Sequence, residues 1–385
     1  MDITQNLINL INCAILGSPL KYADKEQLND ELLSEIYELA KKHDMSHLLG
    51  IAIKKSGIVL IDDDLSRKLS LSQKAAMSRY LRIEVDKERI LHVLNENGIS
   101  HIPLKGAVIR EFYPEQWMRT SCDIDILIKP EDIEAVKELF FGKLGFKPFA
   151  QTSNRDISFA TTNGIHIELH HTLLEDENQT GDVLKTVWEN SSLIAGKKAQ
   201  FEMSPEFFIM YIISHAARHI TVGGCGVRPF YDLYFILNNM KYDAEILEKL
   251  LEEAGLKVFF GYATELMNAW INGAPMSQTA LDLQSYVLSG GAYGSYDNYI
   301  KASISDNGGK KAYLLNRIFM PLEDIKNLYP NVVKYPYLLN WYRICRLCRA
   351  LINGKTKRGI KELKSSIKTS EDNTVGNLIE ELKLR

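Results

Sequence analysis

Apolar positions in the first quarter of the chain recur at the helical period. Leu32, Leu33, Ile36, Leu39 and Ala40 fall on one stripe, and Ile90, Leu91 and Leu94 on another. That spacing predicts amphipathic helices with one buried face each. Asn97-Gly98 supplies a stop, because both residues accept the left-handed backbone that ends a helix. No alternating, turn-rich stretch interrupts this region, so residues 1–98 read as an N-terminal helical subdomain.

The texture changes at Gly98. Residues 99–104 make a short extended run that ends at Lys105-Gly106, and residues 107–113 predict a helix stopped by Pro114. Cys122-Asp123-Ile124-Asp125 alternates, and Ile126-Leu127-Ile128 then continues wholly apolar, as a strand covered on both faces does. Pro130-Glu131-Asp132 puts a proline and two acids in the first turn of the next helix. Its buried stripe is Ile133, Val136, Leu139 and Phe140, and Gly145 ends it. Ile157 and Phe159 predict a further strand, Asn163-Gly164 a hairpin turn, and residues 165–170 the return strand. In that strand Ile165, Ile167 and Leu169 point one way and His166, Glu168 and His170 the other. Residues 99–200 therefore read as a small unit on a mixed sheet.

Ser204-Pro205-Glu206 opens another helix, which runs towards Ile220. Gly223-Gly224-Cys225-Gly226 breaks it, and Pro229 restarts a helix through Leu237. Residues 247–256 and 259–270 predict two more, and the glycines of residues 289–294 predict a flexible loop. Residues 201–300 thus form a second helical subdomain and residues 301–385 a C-terminal helical region. The class is α+β, a small mixed-sheet core flanked by helical subdomains.

A chain of 385 residues exceeds one core, and 45% hydrophobic residues is ordinary for a globular protein. No run approaches the roughly 20 apolar residues of a membrane span. The start, Met1-Asp2-Ile3-Thr4-Gln5, lacks the basic segment and small-residue cleavage site of a secretory signal. Together with five scattered cysteines, reduced thiols by default, this predicts a cytoplasmic protein. Cys345 and Cys348 have no second pair to complete a zinc site and read as helix positions. The net charge of −3 hides an asymmetry: residues 341–368 carry nine Lys or Arg against one acid, Glu362, a net of +8, so the remainder carries −11. That segment reads either as a solvated basic face or as a docking surface for a polyanion, nucleic acid or anionic lipid.

The chemistry concentrates on the sheet. Asp123 and Asp125, two apart on a strand, share a face. Left without a counter-charge at a buried strand end they repel each other. A divalent ion removes that cost, and magnesium suits an oxygen-only set, with manganese as the alternative. Glu168 adds a third carboxylate from a second strand, which is what a two-metal phosphoryl-transfer site needs. Gly106 lets backbone N–H groups approach a phosphate closely, and Lys105 adds a point charge. Arg119, four residues before Asp123, either does the same or pairs with the aspartates. Tyr211, His215 and His219 lie four apart on one helix face, and Arg228 and Asp232 four apart across a helix start. They line a cleft or pin helices together. The run at residues 223–226 lacks the Gly-Lys-Ser/Thr of a P-loop. His166, Glu168 and His170 on one face, with His215 and His219, leave a zinc hydrolase as an alternative, although no H-E-x-x-H is present.

Taken together, Leu104-Lys105-Gly106, Tyr113-Pro114, Arg119, Asp123 with Asp125, Pro130-Glu131-Asp132, Leu144-Gly145-Phe146 and Glu168-Leu169-His170 make a chain that resembles the uncharacterised nucleotidyltransferase family of the polymerase-beta-like superfamily. The resemblance continues through His215, Gly226-Val227-Arg228 and Asp232, and reaches towards Gly291, Gly294 and Tyr329-Pro330. It implies that Asp123, Asp125 and Glu168 hold magnesium. It implies that a nucleoside triphosphate is the substrate, and that His215, Arg228 and Asp232 line the nucleotide cleft under a helical cover. Lys105 and Gly106 stand where the superfamily has Gly-Ser, a departure at the triphosphate grip. The implied reaction moves a nucleoside monophosphate to a hydroxyl acceptor, a small molecule, sugar or protein. The alternative is a relative that binds nucleotide, or serves as a scaffold, without chemistry.

Overall fold

In the computed structural model, residues 2–21, 28–149, 155–173, 178–322, 325–326, 329–352 and 374–384 are described. The chain opens with helices α1 (Ile3–Leu16), α2 (Asp30–Lys42), α3 (Ser46–Ser56) and α4 (Asp63–Glu96). Asp62 caps α4, its carboxylate accepting from the backbone N–H of Asp64 at 2.8 Å, with Asp63 and Asp64 in the first turn. Acids there satisfy free N–H groups and suit the helix dipole.

The sheet follows: β1 (His101–Pro103), α5 (Gly106–Ile109), β2 (Asp123–Ile128), α6 (Ile133–Glu138), β3 (Lys147–Pro148), β4 (Asp156–Ala160) and β5 (His166–His170). The spatial order is β1-β2-β5-β4-β3, with β2 and β5 parallel and the other pairs antiparallel. The β4–β5 hairpin turns at Asn163-Gly164, where Gly164 has φ +75°, a conformation that glycine adopts without steric cost.

The two faces of this sheet have different fates. Ile124, Ile126, Ile128, Phe159, Ile165, Ile167 and Leu169 pack against Ile83, Ile90 and Leu94 of α4 and against Val136 and Phe140. The opposite face carries Asp123, Asp125, Glu168 and His170, and helices cover it.

Those helices come after a short piece, α7 (Gln179–Leu184), and a two-stranded hairpin, β6 (Ser191–Leu193) with β7 (Phe201–Met203). They are α8 (Pro205–Thr221), α9 (Arg228–Asn239), α10 (Ala244–Glu253), α11 (Lys257–Asn272) and α12 (Gln278–Gly290). Then come α13 (Tyr296–Asp306), α14 (Lys310–Ile318), α15 (Leu339–Ile352) and α16 (Thr374–Glu381). Ser204 starts α8 by accepting from the Phe207 N–H, with Pro205 in the first turn. One apolar cluster joins α1, α2 and α3 to α8 through α12 and to Val375, Leu378 and Ile379 of α16.

Several elements differ from the sequence reading. Strands β3, β6 and β7 are two or three residues long, and β6 carries Ser191 and Ser192, so no apolar alternation marks them. Helix α12 lies where no helix is predicted. It takes in Ser289 and Gly290, so the expected flexible loop starts only at Gly291. That loop is packed closely. The Ala292 N–H donates to the Lys42 carbonyl at 2.9 Å and the Ser295 N–H to the Gly223 carbonyl at 3.0 Å. A Cβ on Gly291 would stand 2.7 Å from the Lys42 oxygen, so the glycines here serve close approach of backbones.

No described helix is long and apolar enough to cross a membrane. Of the basic segment 341–368, residues 353–368 lie outside the described residues. Within α15 the Arg343 guanidinium donates to the Met320 carbonyl at 3.0 Å.

Candidate active site

The register of β2 against β5 sets the site. Asp125 pairs directly with Glu168, and Asp123 with His166. Because side chains alternate along a strand, Asp123, Asp125 and Glu168 emerge on the face opposite the isoleucine core. Asp125 is buried, while Asp123 and Glu168 are half-buried.

Two side chains serve Asp125. The Lys105 ammonium donates to Asp125 Oδ1 at 2.9 Å, and His170 Nε2 lies 2.9 Å from the same oxygen. That distance to a carboxylate makes Nε2 the protonated ring nitrogen. His170 Nε2 is also 3.6 Å from Glu168 Oε2, and His166 Nδ1 is 3.7 Å from Glu168 Oε1. The carboxyls then differ by environment. Burial and the neighbouring Asp125 charge push Glu168 up to about 7. The same two causes raise Asp123. Burial acts against ionised Asp125 too, but Lys105 and the His170 hydrogen bond outweigh it and hold that carboxyl far below the usual range. Three carboxyls thus face one ammonium, and the site is short of positive charge.

The residues fit a divalent ion. Among the described residues, single ligand atoms of Asp125, Glu168 and His170 all lie within 4.8 Å of one another. Two carboxylates suit magnesium, and the imidazole would extend the set towards manganese only by giving up the Nε2 proton that it donates to Asp125. This grouping differs from the sequence reading, which puts Asp123 in the trio. Asp123 lines the same cleft, and His170 takes the third place in the cluster. The signal for His170 was its place on the strand face of Glu168. His166, another of the candidate zinc ligands, lies 3.7 Å from Glu168 but outside this cluster, with its ring packed 4.5 Å from that of Phe149.

The remaining predicted residues gather around this floor. Lys105, Gly106, Arg119, Asp123, Asp125, Glu168, His215, Arg228 and Asp232 all line one cleft of about 300 Å³. Arg119 pairs with neither aspartate of β2. Its guanidinium grips Asp232 of α9, Nη2 to Oδ2 at 2.9 Å and Nε to Oδ1 at 3.3 Å, and the Tyr113 hydroxyl donates to Oδ1 at 2.8 Å. Burial opposes a charged Arg119, yet Asp232 more than offsets it and keeps the guanidinium strongly protonated. Arg228 does not pair with Asp232. Its Nη1 donates to the Thr120 carbonyl and lies 3.7 Å from Asp44 Oδ2. His215 and His219 meet through their Nε2 atoms at 3.1 Å. A Cβ on Gly106 would stand 2.5 Å from Arg119 Nη1, so a larger residue at this corner would have to move the guanidinium that grips Asp232.

The structure adds lining residues that carry no local sequence signal. Ser121, Cys122 and Tyr293 also line the cleft, and the Tyr293 hydroxyl lies 3.4 Å from Cys122 Sγ. A second cavity of about 270 Å³ lies beyond Glu168, lined by Arg155, Tyr211 and Arg218 among others. It shares Lys105, Glu168, His215 and His219 with the first. The carboxylate floor therefore stands between two chambers.

Comparison with known proteins adds one finding. A family model described as an uncharacterised nucleotidyltransferase matches residues 29–272. No curated protein and no solved structure matches the chain.

Proposed function

Since the chain belongs to the uncharacterised nucleotidyltransferase family, we propose that it transfers a nucleoside monophosphate from a nucleoside triphosphate to a hydroxyl acceptor by a two-metal mechanism. The observation that carries this reading is the direct pairing of Asp125 with Glu168 across parallel strands, with Asp123 on the same face, at the floor of a cleft that also presents Lys105, Arg119 and Arg228.

Asp123, Asp125 and Glu168 would hold magnesium, or manganese, which supplies charge to the phosphoryl oxygens and lowers the pKa of a bound hydroxyl. His170 orients Asp125 through its 2.9 Å contact. Lys105 and the N–H groups at Gly106 face the triphosphate. Arg119 and Arg228, each tied into the wall by its own partners, add fixed guanidinium donors to the cleft wall, so little reorganisation is needed when charge develops. His215 and Asp232 line the nucleotide chamber. The acceptor oxygen forms a bond to the α-phosphorus, the bond from that phosphorus to the bridging oxygen breaks, and pyrophosphate leaves with the electron pair. The hydroxyl proton passes to a carboxylate of the floor or to solvent. A chamber of about 300 Å³ favours a small molecule, a sugar or a protein hydroxyl over a polynucleotide.

The test is transfer of label from each α-labelled triphosphate with magnesium or manganese, wild type beside Asp123→Ala/Asp125→Ala. Label should move to an acceptor in a cell extract, or to the protein itself, and the double variant should lose at least about a thousandfold of the rate. No transfer by wild type, with equal nucleotide binding by both proteins, would replace this reading with a fold that binds nucleotide and has no chemistry.

A further inference from the structure

We propose that Lys105 is a built-in counter-cation that occupies Asp125 until nucleotide arrives, so that divalent metal and triphosphate enter the site together rather than metal first. The inference rests on the nucleotidyl-transfer reading above.

The first observation is the backbone. Lys105 has φ +42° and ψ −114°, a strained region that L side chains rarely adopt. The corner between β1 and α5 fixes it there. The Leu104 N–H donates to the Asp125 carbonyl at 3.0 Å, and the N–H groups of Val108 and Ile109 donate to the Lys105 carbonyl at 3.0 and 2.9 Å. A glycine would satisfy that corner without strain. Lysine at this position has one visible consequence: the strained backbone sends its side chain onto the carboxylate floor.

The second observation is where the ammonium sits. Nζ is 2.9 Å from Asp125 Oδ1, with the two side chains only 18% and 5% exposed. At this burial neither charge separates from the other without a replacement partner, because an uncompensated buried charge is strongly unfavourable. A free divalent ion arriving at Asp125, whether it displaces the ammonium from Oδ1 or binds Oδ2 beside it, would remain a few ångströms from it, two positive charges added to one in a poorly screened place. A triphosphate changes the balance. Lys105 lines both chambers around the floor, so phosphate oxygens in either would give the ammonium a new anionic partner while the metal takes Asp125. Metal and nucleotide then favour each other's binding reciprocally.

The experiment measures manganese binding to the full chain by the electron paramagnetic resonance signal of the free ion. The proteins are wild type, Lys105→Met, Lys105→Gly, Lys105→Arg and Asp125→Asn/Glu168→Gln. Lys105→Gly relieves the strained φ, which protects the measurement from a variant that fails to fold. Without nucleotide, the Met and Gly variants should bind manganese at least about tenfold more tightly than wild type, and Lys105→Arg should stay close to wild type. A non-hydrolysable triphosphate analogue should tighten manganese binding in wild type far more than in Lys105→Met. Manganese bound equally by wild type, Lys105→Met and Lys105→Gly, and lost in the carboxylate double variant, would overturn the counter-cation role while leaving the metal site in place. Binding that the double variant leaves unchanged would overturn the site itself, and the inference with it.

Discussion

Asp125 is the residue on which the floor turns, since it accepts from both Lys105 and His170. Its loss should therefore be felt in stability as well as in activity. Asp125→Asn removes the charge that compensates a mostly buried ammonium, and breaking such a pair from one side is more damaging than removing both partners. With allowance for the partial exposure of Lys105, the expected cost is about 2 kcal/mol. Asp123→Asn, which leaves that ion pair intact, should cost less than about 0.5 kcal/mol. Urea denaturation at neutral pH checks this, and equal midpoints for the two variants would refute the distinction. Both variants should lose nucleotide transfer. At this scale the sequence was readable where local spacing decides the outcome: Asp123 and Asp125 share a face because a strand has period two. It was not readable where the partner is remote. Arg119 reaches Asp232, 113 positions on, and nothing near Arg119 announces this. Arg228 and Asp232 illustrate the converse, since helical spacing suggests that they pair and each instead holds a different segment.

Among elements, those with a strong period were legible. Strands β2 and β5 have five or six residues with clear patterns, and the turn between β4 and β5 carries its own chemistry in Asn163-Gly164. Strands β3, β6 and β7 are too short for a period to show, and their pairing comes from tertiary packing. The hairpin turn also matters to the site. Strand register has no half-steps, so a slip of one residue would carry Glu168 to the isoleucine face. Gly164 at φ +75° fixes that turn, and nothing lies within 4 Å of where a Cβ would be. Gly164→Val would therefore act through backbone strain alone. The expected loss is about 1–2 kcal/mol, while Gly164→Asn, which tolerates a positive φ, should lose less than half of that. A Gly164→Val variant as stable as wild type in thermal unfolding would show that the turn adopts another form.

For the whole molecule, the cleft depends on segments far apart in sequence, because Lys105, Glu168, His215 and Tyr293 line one chamber. The position of Tyr293 comes from the 291–295 loop lying on the end of α2, and His43 stands at that junction. The His43 ring is buried, its Nε2 contacts the Leu288 carbonyl of α12 at 3.2 Å, and its Nδ1 has no partner among the described residues. A Cβ on Gly226 would stand 3.2 Å from that Nδ1, so a side chain there would crowd the ring, and glycine lets the 223–226 segment run close beside it. Burial, only partly offset by the Leu288 contact, lowers His43 from 6.5 to about 4. The sign follows from the depressed value. The unfolded chain takes the proton more readily than the folded one, so this contribution is fully present above pH 6.5 and is lost as pH falls towards 4. Between pH 7 and pH 5 wild type should lose about 2 kcal/mol through this group. His43→Gln keeps a donor for the Leu288 carbonyl and cannot titrate, so its stability should fall by that much less over the same interval. Urea midpoints of both proteins at pH 7 and pH 5 decide the matter. Parallel losses would mean that another group, such as buried His47 or His101 with their own lowered values, carries the acid sensitivity. A smaller loss in His43→Gln would place it at the junction that holds the Tyr293 loop over the cleft, so that acid would loosen the mouth of the cleft over the same interval in which it protonates Glu168.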